Sequence, residues 1–577
     1  MATTHHQPLL DSPKRKLCPC KALSLVLSLV AIITPITILS TKLFNQTSSS
    51  SSNPFSLSAT LCHRALDQSS CSAMVSELAP PEILMQMNGV DLLQAFLKKS
   101  ETGIRKTMKT VSDINRRIND KREQAAIADC MELMEVSLGR VMDSVVAIGK
   151  RTAGSHSDAH SWLSGVLTNH VTCLDGLTGS TRSMMETELN DMVARARASL
   201  AMVVAVSPLE HDEVSNSNQP ELSLAKPRLN GEFPRWVTTR DRKLLETLPK
   251  DINADVVVAQ DGSGNYGTVN EAVSSVPDND NTRYIIYVKQ GTYNENVVIG
   301  SNKKNVMLVG DGMDLTIITG NLNVIDGSTT FDSATVASTN VHIQPNVAAV
   351  GDGFIAQDIC IQNTAGAVKE QAVALRVRAD QSVINRCRID AYQDTLYAHS
   401  NRQFYRDSYI TGTIDFIFGN AAVVLQNCNI VARLPMSGQF NAVTAQGKND
   451  PNQNTGTSIQ TCNVTASLDL EPVKGTVKSY LGRPWKPYST TIFMQSYIED
   501  HIDPAGWAEW DGDLNLNTLY YGEYMNYGLG AGITMRVAWL GYHVITDPAE
   551  ASKFTVAQLI QGGEWLDSTG VTYTEGL

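Results

Sequence analysis

Residues 392–419 read YQDTLYAHSNRQFYRDSYITGTIDFIFG. Two carboxylates stand here in apolar, strand-like surroundings: Asp394 within Tyr-Gln-Asp-Thr-Leu-Tyr, and Asp415 between Ile414 and Phe416, 21 residues further on. A carboxylate buried without partners costs roughly several kcal/mol. Each is therefore either well paired, as in a turn that satisfies it with backbone amides, or engaged in chemistry. The neighbouring runs repeat at the same interval. Arg386-Cys-Arg-Ile389, Asp407-Ser-Tyr-Ile410, Asn427-Cys-Asn-Ile430 and Thr461-Cys-Asn-Val464 share one shape, with Cys387, Ser408 and Cys428 spaced by 21 and 20 residues. A period of about 20 residues built from short strands predicts a solenoid, and a parallel β-helix fits best. Its coils would pair as parallel strands about 4.8 Å apart.

The repeat gives the carboxylates a partner. Asp394 to Asp415 is one coil, and so is Gln371 to Gln393, 22 residues. The coil stacks two Gln and two Asp on one face. Two carboxylates so close resist double ionisation, which predicts one raised pKa and one anion: an acid/base and a nucleophile. The Gln amides can donate to a developing oxyanion. Downstream, Leu481-Gly-Arg-Pro-Trp485 supplies Arg483, able to grip a carboxylate in bidentate fashion, and Trp485, able to lie against a sugar ring.

Short Val/Ile runs between Gly, Asn and Asp turns extend back to Asp255, so residues 246–577 read as the β domain. Residues 55–206 are different. Ile114, Ile118, Ala125, Ala128, Met131, Leu133, Met134 and Leu138 recur at mostly helical spacing, which predicts an all-α four-helix bundle. Its Cys62, Cys71, Cys130 and Cys173 suggest two disulfides in an oxidising compartment, with three connectivities open: Cys62–Cys71 would staple a hairpin and Cys130–Cys173 would tie two helices. His156, His160 and His170 are scattered and read as surface or core residues. Residues 207–245 form a linker rich in Ser, Asn, Pro and Glu that ends in the basic-leucine run Arg242-Lys243-Leu244-Leu245. At the N-terminus, residues 1–22 carry Lys14-Arg-Lys16, and 23–41 hold an apolar run of about the minimum spanning length. With the basic flank first, this reads as a signal anchor or long signal peptide, directing the rest into the secretory pathway and leaving membrane contact to this segment alone. Residues 42–54, Ser-rich, read as a linker. Asn45 and Asn463 head glycosylation triplets.

The 577-residue chain carries a net charge of −12, unevenly spread: from Glu246 onward 20 basic face 35 acidic residues, against 27 and 24 before it. An acidic β domain argues against nucleic acid as a partner. It also leaves attraction of a polyanion to local groups. No Cys or His cluster has metal spacing, and no cofactor is expected.

Gly291-Thr-Tyr-Asn-Glu295, Gln371-Ala-Val-Ala-Leu-Arg376, Tyr392-Gln-Asp-Thr-Leu-Tyr397, Gly412-Thr-Ile-Asp-Phe-Ile-Phe-Gly419 and Leu481-Gly-Arg-Pro-Trp485 resemble, in order, the signature blocks of plant pectin methylesterases. The helical region, with Trp162-Leu-Ser and Thr172-Cys173-Leu-Asp, resembles the inhibitor domain that precedes the enzyme in one subgroup. The resemblance implies a right-handed parallel β-helix that hydrolyses the C6 methyl ester of galacturonate units in pectin, at the cell wall. Asp415 would be the nucleophile and Asp394 the general acid, then base. Gln371 and Gln393 would hold the oxyanion, Arg483 would orient Asp415, and Trp485 and Thr330 would contact substrate. The bundle would act as an autoinhibitory pro-region, cut by a protease at 242–245, and separate inhibitor proteins would be further partners. Two departures stand out. An extra segment, Ser-Thr-Asn-Val-His-Ile-Gln-Pro-Asn, lies between Ala337 and Val347; Ser408 replaces a Cys that would pair with Cys387, leaving Cys428–Cys462 as the disulfide candidate of the β domain. Two rival readings remain open: a β-helix pectin glycosidase, which would produce reducing ends, and an impaired member that only binds.

Overall fold

The computed structural model describes residues 54–84, 86–208, 253–338 and 352–577. The apolar N-terminal run, Asn45, the motif at 242–245 and nearly all of the extra segment after Ala337 lie outside the described residues. Among those described, no helix is long and apolar enough to cross a membrane.

Three short helices, α1 (Pro54–Cys62), α2 (Gln68–Ser76) and α3 (Pro81–Leu84), lead into four long ones: α4 (Gly89–Asn115), α5 (Lys121–Gly149), α6 (Ala153–Gly176) and α7 (Gly179–Ala205). Local sequence sets their starts. Asn88, Asp120 and Thr152 accept backbone N–H groups of the first turn, and Thr152 with Ser155 closes a reciprocal cap. Short connections make consecutive helices antiparallel neighbours, as a four-helix bundle requires. Of the three connectivities, the protein has Cys62–Cys71, joining α1 to α2, and Cys130–Cys173, joining α5 to α6.

From Val256 the chain winds into a parallel β-helix with sheets of 11, 8 and 7 strands, every pairing parallel. The repeat read from the sequence is one column of it. Ile361, Ile389, Ile410, Ile430, Val464 and Ile498 stand directly above one another in the eight-stranded sheet, buried in the core of the helix. The residue three positions before each of the six, namely Asp358, Arg386, Asp407, Asn427, Thr461 and Gln495, turns the chain with φ between 48° and 58°. Its N–H donates to the corresponding carbonyl of the next coil, so the unusual backbone is held by the stack itself. Val269, Ala272 and Val273 of the short helix Val269–Ser275 plug the first coil, and Val556, Ile560, Trp565 and Leu566 cover the outer face of the 11-stranded sheet.

One expectation fails. Cys428 and Cys462 are free thiols, as are Cys360 and Cys387. Adjacent coils lie about 4.8 Å apart, close enough for a bridge, but both thiols are turned to backbone acceptors and not to each other. The Cys428 thiol donates to the Gln426 carbonyl and the Cys462 thiol to those of Gln460 and Leu425, while the Cys428 N–H donates to the Cys462 sulfur. Ser408 and Ser496 occupy the same column and bond in the same way.

The bundle lies on the outer face of the seven-stranded sheet. Its apolar core is continuous with Phe331, Ala334, Ala337, Val373, Tyr397, Phe418 and Ala445. This second contact explains why burial in α5 and α6 is unbroken over Val136–Val141 and Leu163–His170 instead of following one helical stripe. α6 approaches through small residues: a Cβ on Gly165 would sit 2.8 Å from the Asn401 side chain.

Candidate active site

Asp394 and Asp415 each lie at the turn that enters a strand of the seven-stranded sheet, with φ of 62° and 53°. Non-glycine residues rarely adopt this backbone, which costs roughly 1–2 kcal/mol each. Here it turns both carboxylates to one side of the stack. The Asp394 N–H donates to the Ile414 carbonyl of the next coil and that of Ala372 to the Gln393 carbonyl, which locks the three coils in register.

Asp415 is 5% exposed and is gripped by Arg483, whose Nε and Nη2 donate to its two oxygens at 2.8 and 2.6 Å. Burial pushes its carboxyl up and the Arg483 hydrogen bonds oppose that push. Asp394, 8% exposed, is pushed well above the ordinary carboxylate range by burial and then by the charge of Asp415, against the opposing charge of Arg483. Both carboxyls are thus raised, Asp394 much the further, so Asp394 is the one of the pair that favours the proton and Asp415 the more acidic partner.

One cavity of about 580 Å³ is lined by Gln371, Gln393, Asp394, Asp415, Arg483, Thr330 and Trp485, so all seven of these sequence-predicted residues converge. Asn463 is elsewhere, exposed on a strand and bonded to Asn429. Sequence reasoning missed two parts of the site. The first is its aromatic wall. Tyr397 and Phe418, each three residues beyond a catalytic-candidate Asp, stack with centroids 4.1 Å apart, and Trp510 lies 4.3 Å from the Arg483 guanidinium. The repeat length could have revealed the first pair. Trp510 sits 27 residues beyond Arg483, outside any repeat signal.

The second is the roof. Arg122, Ala126, Asp129, Thr172, Asp175, Gly176 and Thr178, from α5, α6 and the approach to α7, line the same cavity from the bundle side. Ion pairs bolt the roof down: Lys486 to Asp175 at 2.6 Å, Arg378 to Glu132 at 2.7 Å, Arg402 to Asp158 at 2.8 Å, and Arg140 to Asp352 at 2.6 Å. Thr329 donates to Asp129 at 2.5 Å, and Thr172 meets His399 at 3.1 Å. His160, one of the scattered histidines, bonds the Asn452 carbonyl across the same interface. Among the described residues no cluster of His, Cys, Asp or Glu could hold a metal ion.

Comparison with known proteins places the two halves. The Pectinesterase family profile matches residues 255–563, and the Plant invertase/pectin methylesterase inhibitor profile matches residues 56–202. A pectinesterase/pectinesterase inhibitor of Ficus pumila var. awkeotsang is 58% identical, covering 91% of this chain and 93% of its own. Pectinesterase/pectinesterase inhibitor 18 of Arabidopsis thaliana is 53% identical over 99% of both chains. The solved pectin methylesterase from carrot is 56% identical, covering 56% of this chain and 99% of its own, with a TM-score of 0.54. The chain belongs to the pectinesterase family: it is a pectin methylesterase whose β-helix follows an inhibitor-like helical domain.

Proposed function

We propose that the enzyme hydrolyses galacturonate methyl esters through an aspartyl–acyl intermediate, and that the helical domain keeps it latent by roofing the groove. Asp415, held as an anion by Arg483, attacks the ester carbonyl. The Gln371 and Gln393 amides donate to the tetrahedral oxyanion. Asp394 gives its proton to the departing methoxide, so methanol leaves and an anhydride joins Asp415 to the sugar carboxyl. The Asp394 carboxylate then takes a proton from water, hydroxide attacks the anhydride, and Asp415 returns with an acidic sugar as product. Trp485 and Thr330, both in the cavity lining, serve as substrate contacts. The observation that carries this reading is the asymmetry of the two carboxylates in one cavity, one with a bidentate guanidinium and one without.

Latency follows from the roof. A polymer needs the length of an open groove, and α5 and α6 occupy one side of this one, so activity awaits removal of the bundle, with the run at 242–245 as the cut site. Two disulfides in the helical domain suit an oxidising, secretory route to the cell wall, and exposed Asn463 suits a glycan acquired on it. The test is methanol release from highly esterified pectin by the intact chain and by residues 246–577. The fragment should exceed the intact chain by about two orders of magnitude, the scale of a masked site reopened. Equal rates would overturn the latency reading and leave the chemistry standing.

A further inference from the structure

Arg376 and Arg378 are two residues apart where the strand Leu375–Val377 ends, so both project from the outer face of the seven-stranded sheet. They are 2% and 1% exposed. Two guanidinium groups side by side in such burial demand an anion. The carboxylate they share comes from the other domain: Glu132 of α5 accepts from Arg378 Nη2 at 2.7 Å and lies 3.8 Å from Arg376 Nη1. Arg376 Nε and Nη1 have no hydrogen-bond partner, although the group is nearly inaccessible to solvent. Its guanidinium instead lies 3.4 Å from the ring centroid of Phe331, which lines the catalytic cavity. Arg376 pairs in register with Tyr397, three residues beyond Asp394, which sets it at most about 10 Å along the strand direction from the acid.

When the bundle leaves, these two cations face the groove of an otherwise acidic domain. The polymer in that groove carries, on every sugar already processed, a free carboxylate. We propose that Arg376 and Arg378 form a subsite for the carboxylate of a de-esterified galacturonate neighbouring the reacting ester, and that Glu132 stands in for that carboxylate in the docked form. The inference rests on the docking reading above and adds the chemistry of the groove floor. Fork-shaped donors suit a planar carboxylate, and a neutral methyl ester leaves their charge unpaired. The subsite thus favours sugars beside those already de-esterified.

The test uses residues 246–577, a part that corresponds to the whole carrot enzyme and therefore folds on its own. Binding of polygalacturonate is read by calorimetry, and its inhibition of methanol release by kinetics, at low and high salt. Arg378→Gln and Arg376→Gln should each weaken polygalacturonate about tenfold, the worth of one charged hydrogen-bonding group. Arg378→Lys should recover part of the loss, and high salt should erase the differences. Circular dichroism melts of each variant separate loss of the subsite from loss of fold. In the intact chain Glu132→Gln should raise methanol release about tenfold by loosening the roof. Polygalacturonate binding identical in wild type and in folded Arg376 and Arg378 variants would overturn the proposal. A fragment that binds polygalacturonate through these residues yet releases no methanol would instead overturn the catalytic reading alone.

Discussion

Asp415 and Asp394 differ by a single neighbour. The Arg483 fork favours the charged form of one carboxylate, while burial and the charge of its neighbour favour the protonated form of the other. The geometry of Arg483 in turn depends on Trp510, whose ring lies 4.3 Å from the guanidinium. A cation–π contact between such half-buried partners is worth about 1–2 kcal/mol. Trp510→Ala should therefore lower kcat of the 246–577 fragment roughly tenfold or more, and Trp510→Phe should recover most of it. Steady-state rates on esterified pectin check this; an unchanged kcat in Trp510→Ala would show that Arg483 needs no such support. At this scale the sequence was legible where a residue was out of place. A carboxylate between Ile414 and Phe416 announces itself, whereas Trp510 looks like any tryptophan until the next coils bring it against Arg483.

The coil is the element, and its period was readable because the same side chains recur in one column: Ile389, Ile410, Ile430 and Val464 inside, Cys387, Ser408, Cys428 and Cys462 beside them. The same column misled over the disulfide. Spacing puts Cys428 and Cys462 in adjacent coils, but each thiol donates to a backbone carbonyl instead of bonding the other. Titration of unfolded 246–577 fragment should thus find four thiols, at Cys360, Cys387, Cys428 and Cys462. Two thiols would mean that the column oxidises after all. Because Ser408 and Ser496 already serve in that column, Cys428→Ser should cost no more than about 1 kcal/mol in chemical denaturation. The helical half was legible as a bundle from its periodicity and caps. Its docking was not, since Arg140 with Asp352 and Arg402 with Asp158 are partners more than two hundred residues apart, with nothing in either local sequence to announce the other.

For the whole molecule, the interface has a built-in dependence on pH. Burial pushes Asp129 up to about 7, against the pull of Thr329 and Arg376 and with Asp332 and Glu132 adding to the rise. Burial also raises Glu135 to about 7, with Glu132 adding to it and Arg378 opposing. In a separated bundle both would titrate in the ordinary carboxylate range near pH 4. Docking thus binds protons. Its contribution from these groups is full below the ordinary range, falls as pH rises through it, and is lost by about pH 7. Residues 54–206 added to the 246–577 fragment should bind more weakly at pH 7.5 than at pH 5 by calorimetry. Asp129→Asn should flatten the slope; a slope of opposite sign would show that other groups govern the interface. The central claim remains the nucleophile. Methanol release from highly esterified pectin, with reducing ends assayed in the same tube, should be robust for the 246–577 fragment and absent for its folded Asp415→Asn variant, with no reducing ends from either. Methanol released undiminished by Asp415→Asn, or reducing ends from the unmodified fragment, would contradict the account.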